Sequence, residues 1–373
     1  MKLNLFYAST PMPALRLFAG PAAARHIQLN GLRPQDIGAI PGAAGGPKGL
    51  ILGPLDRFLF GQWLPRSQQP VALIGASIGA WRMATACLND PQAALERLER
   101  DYIAQHFKLP HGQKRPTPHQ VSGQFAESLQ VFYGGRIEEV LQHPRYRLHI
   151  VTSRGRLLLS RDGAWRTPLG YLGAYVSNAM TRKALGSWLE RVVFSATENN
   201  EPAALPFGTH DFRTRQVALR ANNFMDALQA SCSIPFVLRP VPTIVGAPPG
   251  PYWDGGITDY HLHLQYQPSA ASPIVLYPHF QKAVVPGWLD KAWKRRHRAS
   301  AALDNMLVLA PDPSWVQGLP GARLPDRGDF TRYAHDLPGR MKVWSAATSA
   351  ARQLADEFAE WLERPDLSRL EPL

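Results

Sequence analysis

A serine at position 77 lies between two glycines where an apolar run meets a helical pattern. The run V-A-L-I occupies residues 71–74, and G-A-S-I-G follows at residues 75–79. A G-x-S-x-G sequence between a strand and a helix is typical of a nucleophile elbow, a sharp turn that presents the serine hydroxyl to a substrate. Gly75 and Gly79 remove Cβ atoms where strand and helix nearly touch. The pattern indicates nucleophilic catalysis by Ser77, and the alternative is a tight turn with an incidental serine.

A glycine-rich loop lies upstream of this serine, between a strand pattern at residues 36–40 and a helical pattern at residues 50–60. It reads P-G-A-A-G-G-P-K-G at residues 41–49. Such a loop can turn backbone N–H groups toward an anion, either a phosphate or the oxyanion of an acyl-transfer intermediate. A Walker-type phosphate loop ends in G-K-[ST], and no hydroxyl stands at that place here. We therefore predict an oxyanion loop, with a phosphate cradle and a purely structural loop as alternatives.

A carboxylate, Asp254, is followed by Gly255 and Gly256 in the segment P-Y-W-D-G-G-I. An aspartate before two glycines is by itself an ordinary turn signal. In a chain that also carries a glycine loop and an elbow serine, this carboxylate becomes a candidate base for the serine hydroxyl.

Taken in order, Gly-Gly-x-Lys-Gly, Gly-x-Ser-x-Gly and Asp-Gly-Gly make the chain resemble the patatin-like phospholipases. A fourth segment, A-S-C-S-I-P-F at residues 230–236, resembles the helix end and Ser-x-Pro-Phe turn that precede the aspartate in that family. The resemblance covers residues 35–285. It implies a three-layer α/β/α fold with a mostly parallel central sheet. It also implies a Ser–Asp dyad that hydrolyses acyl esters of phospholipids and related lipids, with no metal or other cofactor.

By position, the resemblance implies Ser77 as the nucleophile and Asp254 as the base. It implies an oxyanion loop formed by Gly45, Gly46, Pro47, Lys48 and Gly49. The family loop usually starts with three glycines, and here Ala44 takes the first place. Pro47 has no N–H to donate, so we expect the donors to be the two glycines before it. Lys48 replaces the more frequent arginine and keeps its positive charge.

Histidines offer a rival mechanism, because an ordinary α/β-hydrolase has its triad in the order Ser, Asp, His. Five histidines follow the aspartate: His261, His263, His279, His297 and His335. A Ser–Asp–His esterase is therefore an alternative, although we expect each of these histidines to be structural or exposed. The pair at 261 and 263 lacks a third ligand, so no metal site is predicted. Two further alternatives are a lipid-binding module without turnover and a basic interaction protein in which the elbow is only a turn.

Length and composition indicate a globular protein. The 373 residues are 45% hydrophobic and 19% charged, enough to build one large core. We predict an acyl hydrolase domain with an N-terminal helix over residues 1–285, and a C-terminal helical extension packed on the core over residues 286–373. Two cysteines are too few for a disulfide framework, and Cys87 and Cys232 are predicted to be buried thiols.

The net charge of +12 suggests anionic partners. Most cations are scattered, but residues 288–298 combine two tryptophans with five cations. This stretch would suit the headgroup zone of an anionic membrane, with an exposed basic helix that has no partner as the alternative. No recognised nucleic-acid module accompanies the charge, so no specific nucleic-acid partner is predicted.

The apolar stretches do not predict membrane insertion. A serine, two prolines and an arginine interrupt the N-terminal run within residues 9–16, so no cleaved signal peptide is predicted. The longest apolar stretch, residues 71–88, contains Arg82 and is explained as strand, elbow and helix. We therefore expect a cytoplasmic protein with peripheral membrane contact.

Strand and helix patterns alternate early in the chain, which favours a parallel sheet with right-handed crossovers. Further strands are predicted at residues 147–152, 191–195, 273–277 and 305–309. Further helices are predicted at residues 20–27, 92–107, 123–131, 135–142, 170–187, 223–232 and 345–363.

Overall fold

The structure, a computed structural model, describes residues 12–107, 113 and 116–373. The strands are β1 (Leu15–Ala19), β2 (Ile37–Gly42), β3 (Val71–Ala76), β4 (Tyr146–Gly155), β5 (Leu189–Ser195), β6 (Thr197–Glu198), β7 (Glu201–Pro202), β8 (Thr214–Ala218), β9 (Tyr252–Asp254), β10 (Ile274–Pro278), β11 (Met306–Pro311) and β12 (Leu370–Pro372). The α-helices are α1 (Pro21–Asn30), α2 (Gly53–Phe58), α3 (Ile78–Ala86), α4 (Pro91–Ile103), α5 (Pro118–Tyr133), α6 (Ile137–Leu141), α7 (Arg166–Met180), α8 (Arg182–Leu185), α9 (Ala221–Ser231), α10 (Pro313–Gln317), α11 (Gly328–Arg332), α12 (Leu337–Ala350) and α13 (Arg352–Glu363).

The centre of the fold is a ten-stranded sheet in the order β12-β1-β11-β10-β2-β3-β4-β5-β8, with β9 paired to β4 outside this path. Neighbouring strands are parallel except in the pairs β1–β11, β4–β5 and β4–β9. Helices flank the sheet, with α3 packed on β3, α9 on β4 and α13 on β1. The predicted three-layer α/β/α fold with a mostly parallel central sheet is confirmed.

The register along β4 brings two distant parts of the chain together. This strand is long enough to pair with two strands on one edge: β3 lies opposite its first part, and β9 lies opposite its last part. Ala76, the last residue of β3, is opposite Val151, and Asp254, the last residue of β9, is opposite Thr152. The residue that follows β3 therefore meets the end of β9.

The chain after residue 285 completes the sheet. Strand β11 lies between β10 and β1, and β12 pairs with β1 at the edge. The tail helix predicted at residues 345–363 is instead two helices, α12 and α13, which meet at the buried Ala351. A domain boundary at residue 285 stays a prediction.

A bilayer-spanning helix is absent from the described ranges, because none of the helices there has the length and hydropathy that a crossing requires. Residues 1–11, which include most of the segment used to predict the absence of a signal peptide, lie outside the described ranges.

A buried ionic cluster fixes the chain just after β9. Asp259 accepts hydrogen bonds from Arg191 on β5, with Nε–Oδ2 and Nη2–Oδ1 distances of 2.8 and 2.6 Å. Both side chains are fully buried. Arg182 also donates to Asp259, at 3.1 Å, and to the carbonyl of Thr258, at 2.5 Å. These hydrogen bonds therefore hold the segment that follows Asp254 in the chain against β5 and α8.

We expect Asp259→Asn to lower the free energy of unfolding by roughly 3 kcal/mol, because the buried Arg191 then keeps, within the described ranges, only the exposed Asp211 as a carboxylate partner, at 3.1 Å. Urea unfolding followed by circular dichroism measures the change. The matched control is Asp101→Asn, whose carboxylate pairs with Arg97 at the surface at 3.3 Å. Its expected loss is about 0.5 kcal/mol or less. Equal losses in the two variants would contradict a stabilising role for the cluster.

Candidate active site

The turn between β3 and α3 holds Ser77 in an unusual backbone conformation. Its φ of 58° and ψ of −131° place it at positive φ, which is rare for a residue other than glycine. Strain of this kind is concentrated at functional sites and is a feature of nucleophile elbows. The N–H of Ser77 donates to Ser231 Oγ at 2.9 Å, and that hydroxyl donates to the carbonyl of Val151 at 2.7 Å. The end of α9 thus fixes the turn against β4.

The glycines of the elbow are required by close packing. A Cβ on Gly75 would lie 2.3 Å from Cα of Ala80, and a Cβ on Gly79 would lie 1.8 Å from the carbonyl oxygen of Gly42. Both distances are shorter than atoms can tolerate, so no other residue fits without a backbone shift. The strand, the elbow helix and the end of β2 can approach each other only because these positions lack side chains.

Ser77 and Asp254 are in direct contact. Ser77 Oγ donates to Asp254 Oδ2 at 2.7 Å, and the N–H of Gly256 donates to Asp254 Oδ1 at 2.7 Å. The main chain of Asp254 is held on both sides, since its N–H donates to the carbonyl of Ser233 and its own carbonyl accepts from Ser153 Oγ, each at 2.9 Å. The serine is 3% exposed and the aspartate 5%. The pair is therefore preorganised and screened from bulk water, where electrostatic interactions are strong.

The two glycines after Asp254 allow the turn to pack against the rest of the site. A Cβ on Gly255 would lie 2.0 Å from the carbonyl oxygen of Val151 on β4. A Cβ on Gly256 would lie 2.6 Å from Cβ of Ala44 in the glycine loop. The Asp-Gly-Gly segment thus joins the sheet to the loop, which an ordinary surface turn would not do.

Two amides of the glycine loop are free. The N–H of Ala44 donates to the carbonyl of Tyr260 at 2.9 Å, and Pro47 has no N–H. Within the described part of the chain, the amides of Gly45 and Gly46 have no acceptor. Gly46 has a φ of 59° and begins a 3-10 helix. These are the two glycines expected to supply oxyanion donors.

The rest of the loop packs between the elbow helix and an aromatic ring. A Cβ on Gly45 would lie 2.6 Å from Cε1 of Phe280, and Lys48 Nζ lies 5.4 Å from the centre of the same ring. Gly49 faces the side chain of Ile78, which a Cβ would approach to 3.6 Å. A small, mostly apolar cavity of about 30 Å³ adjoins this side of the loop. It is lined in part by Leu50, Ile78, Leu95, Leu98 and Tyr102.

Arg82, which interrupts the apolar stretch in the sequence, is explained by a buried ion pair. Its Nε and Nη2 donate to the two carboxylate oxygens of Asp56, both at 2.7 Å. The pair links the elbow helix α3 to α2, the helix that follows the glycine loop. A bidentate pair of this kind fixes orientation as well as distance.

Burial raises the pKa of Asp254 above its ordinary value, while the positive charge of Arg327 and the hydrogen bond from Ser77 oppose the rise. A carboxylate with a raised pKa binds a proton more strongly than an exposed one, which suits a general base.

Burial also raises the pKa of the thiols of Cys87 and Cys232, and both cysteines are free and buried, as predicted.

No histidine in the part of the chain that the structure describes bonds to the dyad. Among the described residues, the carboxylate of Asp254 has only Ser77 and Gly256 as hydrogen-bond partners. Burial lowers the pKa of His261 well below its ordinary value and that of His279 to about 3, so both rings are neutral at physiological pH. The remaining three imidazole rings bond elsewhere or face solvent. His263 bonds to the carbonyl of Val284 and to Ser300 Oγ. His297 bonds to the carbonyl of Asp290, and His335 is exposed. No group of three side chains in the described ranges could hold a metal ion.

Arg327 and Lys291 are two cations near the site that the sequence did not assign to it. A Cβ on Gly46 would lie 3.1 Å from Arg327 Nε, so this exposed guanidinium lies beside the oxyanion loop. Lys291 Nζ lies 4.0 Å from the ring centre of Tyr260. Both charges act on the carboxylate of Asp254.

With Lys48, these cations form a positively charged rim around the dyad, which we call the cationic rim (Lys48, Lys291 and Arg327). Partial burial of the Lys291 ammonium group, together with the charges of Arg327 and Lys48, lowers its pKa to about 8. None of the three pairs with a carboxylate in the described ranges. The rim is therefore free to bind an anion.

The sequence that builds this site matches the model of a known protein family. The model described as patatin-like phospholipase matches residues 44–261, more than half of the 373-residue chain. The matched range contains residues 44–49 of the glycine loop, the elbow and the Asp-Gly-Gly segment, whereas Lys291 and Arg327 lie beyond it. No curated protein matches the chain.

Proposed function

The chain belongs to the patatin-like phospholipase family, and from this premise we propose that it is a serine acyl hydrolase that cleaves ester bonds of phospholipids or related lipids. The observation that carries the proposal is the 2.7 Å hydrogen bond from Ser77 Oγ to Asp254 Oδ2. A strained elbow, a buried carboxylate with a raised pKa and free loop amides support the same chemistry.

The proposed reaction starts when Asp254 Oδ2 takes the hydroxyl proton of Ser77 while Oγ attacks the ester carbonyl. The amides of Gly45 and Gly46 and the N-terminus of α3 stabilise the tetrahedral oxyanion, and one such donor contributes on the order of 3 kcal/mol to lowering the barrier. Asp254 then gives the proton to the departing alcohol or lysophospholipid, which leaves an acyl-enzyme. Water attacks this ester with Asp254 again as the base, and a fatty acid is released. None of these steps requires a cofactor.

A dyad fits this site better than a Ser–Asp–His triad. In a triad, an imidazole lies between the hydroxyl and the carboxylate and carries the proton. Here the hydroxyl bonds directly to the carboxylate, and the second carboxylate oxygen bonds to a backbone amide. The 2.7 Å contact between Ser77 Oγ and Asp254 Oδ2 leaves no room for an imidazole between them.

The cationic rim favours an ester that carries an anionic group, such as a phospholipid, over a neutral acylglycerol. The guanidinium of Arg327 offers several donors in a fixed plane, which match the oxygens of a phosphate. The ammonium groups of Lys48 and Lys291 add point charges, one on the loop beside Phe280 and one over the ring of Tyr260.

We expect Arg327→Gln to lower the kcat/KM ratio of an anionic to a neutral short-chain ester by about ten-fold or more, because a hydrogen bond to a charged group contributes roughly 1.5–3 kcal/mol. Both substrates are used below their aggregation limit, so that binding to surfaces does not enter. Arg25→Gln is the matched control, since Arg25 is exposed on α1. An unchanged ratio in Arg327→Gln would show that the rim does not select the substrate.

The proposed function is tested by incubating the purified protein with dispersed phosphatidylglycerol and identifying the products by mass spectrometry. We expect a free fatty acid and a lysophospholipid in equal amounts. If phospholipids, acylglycerols and soluble short-chain esters all remain intact, the protein is not a hydrolase, and the lipid-binding alternative replaces the proposal.

A further inference from the structure

Helix α7 presents an apolar face to solvent. Leu169, Leu172, Val176 and Met180 are 50%, 58%, 53% and 76% exposed, and Trp165, just before the helix, is 59% exposed. Their spacing of three or four residues places them on one side of the helix. The exposed side of a helix in a globular protein is usually polar, so a continuous apolar stripe indicates a surface that binds something.

The opposite side of α7 packs near the dyad. Tyr171 is buried, and its ring lies 6.1 Å from that of Trp253, the residue before Asp254. It also lies 6.0 Å from the ring of Phe236, which is itself 58% exposed and extends the apolar surface. The helix therefore connects the neighbourhood of the site on one side to the apolar surface on the other.

This surface continues into the basic segment at residues 288–298. The rings of Tyr175 on α7 and Trp293 stack with their centres 6.4 Å apart. The segment forms two short 3-10 turns, Trp288–Asp290 and Lys294–His297, and not one continuous helix.

The five cations of this segment do not act as one face. Arg296 donates to the buried carboxylate of Asp290 at 2.7 Å, and Lys291 belongs to the cationic rim. The outward cations are Lys294, Arg295 and Arg298, which are exposed and have no carboxylate partner in the described ranges. They provide positive charge beside the apolar stripe.

We propose that the outer face of α7, with Phe236, Trp293 and the neighbouring outward cations, docks the enzyme on the surface of an anionic lipid bilayer. The choice of a lipid surface rests on the proposed function and on the combination of an apolar stripe, an interfacial tryptophan and unpaired cations, which is typical of peripheral membrane contacts. A docked molecule would hold its site near lipids that carry the ester. The competing explanation is that a second copy of this chain covers the apolar stripe in a dimer.

The docking surface is tested by vesicle sedimentation in a Ser77→Ala background, so that the lipid is not consumed. Vesicles contain equal parts of phosphatidylcholine and phosphatidylglycerol. We expect the triple variant Leu169→Ser, Leu172→Ser, Val176→Ser to bind at least about ten-fold more weakly, because it removes the centre of the stripe. The matched control carries Leu29→Ser, Val131→Ser and Leu367→Ser, at exposed positions on other elements. The control should bind like the parent.

A second experiment tests the contribution of positive charge with a triple variant that carries Lys294→Gln, Arg295→Gln and Arg298→Gln. We expect weaker binding to the anionic vesicles at low salt, and no difference on vesicles of phosphatidylcholine alone or at 1 M salt, where the attraction is screened. The same loss on neutral vesicles would contradict an electrostatic contribution from these residues.

Two results would overturn the docking surface: vesicle binding by the α7 variant equal to that of its control, or a dimer that the α7 substitutions dissociate without changing vesicle binding. Light scattering measures the oligomeric state. These failures differ from failure of the proposed function, because binding is measured without turnover. With Ser77 restored, the α7 variant should hydrolyse a water-soluble short-chain ester at the parent rate. Absence of hydrolysis by the parent itself would refute the proposed function and leave the binding result standing.

Discussion

Replacing Ser77 with alanine should lower kcat for a short-chain ester by about 10⁴-fold or more, since loss of the nucleophile removes the covalent route. The substitution removes one oxygen atom, which donates a hydrogen bond to the carboxylate of Asp254. The fold should therefore be retained. Release of the alcohol by the purified variant gives the rate, and circular dichroism with thermal unfolding gives the state of the fold.

Ser128→Ala is the matched control, because this exposed serine on α5 undergoes the same chemical change far along the chain from the site. It should keep the parent rate. Substantial turnover by well-folded Ser77→Ala would contradict the role proposed for the elbow.

Asp254→Asn should lower kcat by about 10³-fold to 10⁴-fold, because the amide keeps the shape of the side chain but cannot accept the hydroxyl proton. The pH profile gives a second readout. The base acts when ionised, so activity is present above the pKa of Asp254 and is lost as pH falls through it. Burial raises this pKa, so the acid limb should lie at higher pH than an exposed aspartate would give. The limb should be missing from the residual activity of the variant.

Histidine replacements separate the dyad from the triad. Single alanine substitutions are made at His261, His263, His279, His297 and His335. Each variant should keep most of the activity, and thermal unfolding identifies any that are destabilised by loss of a buried ring. An inactive histidine variant of normal stability would replace the dyad with a triad.

The parts of the site that the sequence predicts are those made by neighbouring residues. The elbow follows from glycines flanking a serine between an apolar run and a helix, and β3 and α3 form there. The Asp-Gly-Gly segment and the free amides of Gly45 and Gly46 follow in the same way, because backbone conformation and the missing N–H of Pro47 are local properties. Fold class follows from the alternation of strand and helix patterns.

Contacts between distant segments do not follow from local sequence patterns, and the family resemblance alone implied that Ser77 and Asp254 act together. Only the register of β4 shows that β9 lies end to end with β3, which is what joins Ser77 to Asp254. Ser231 and Arg327 reach the site from segments whose local sequence carries no catalytic pattern. Tertiary packing decides these contacts, and it also decides the break between α12 and α13.

Helix α7 shows a further limit of sequence patterns. Its apolar residues do not fall on one side, so the sequence pattern predicts a helix without showing which side packs against the core. The structure buries Tyr171 and Ala174 on one side but leaves Leu172 and Val176 exposed on the other. The sequence identifies the apolar residues of this helix, but only the structure shows which of their side chains are exposed to solvent.

Covalent labelling by a fluorophosphonate shows whether Ser77 is the nucleophile and whether Asp254 activates it. The purified protein is treated with the probe and digested, and the modified peptide is identified by mass spectrometry. We expect one adduct, on Ser77, formed at a rate that falls strongly in Asp254→Asn and is unchanged in Ser128→Ala. No adduct on Ser77, or labelling at another serine with Ser77 unmodified, would contradict the account.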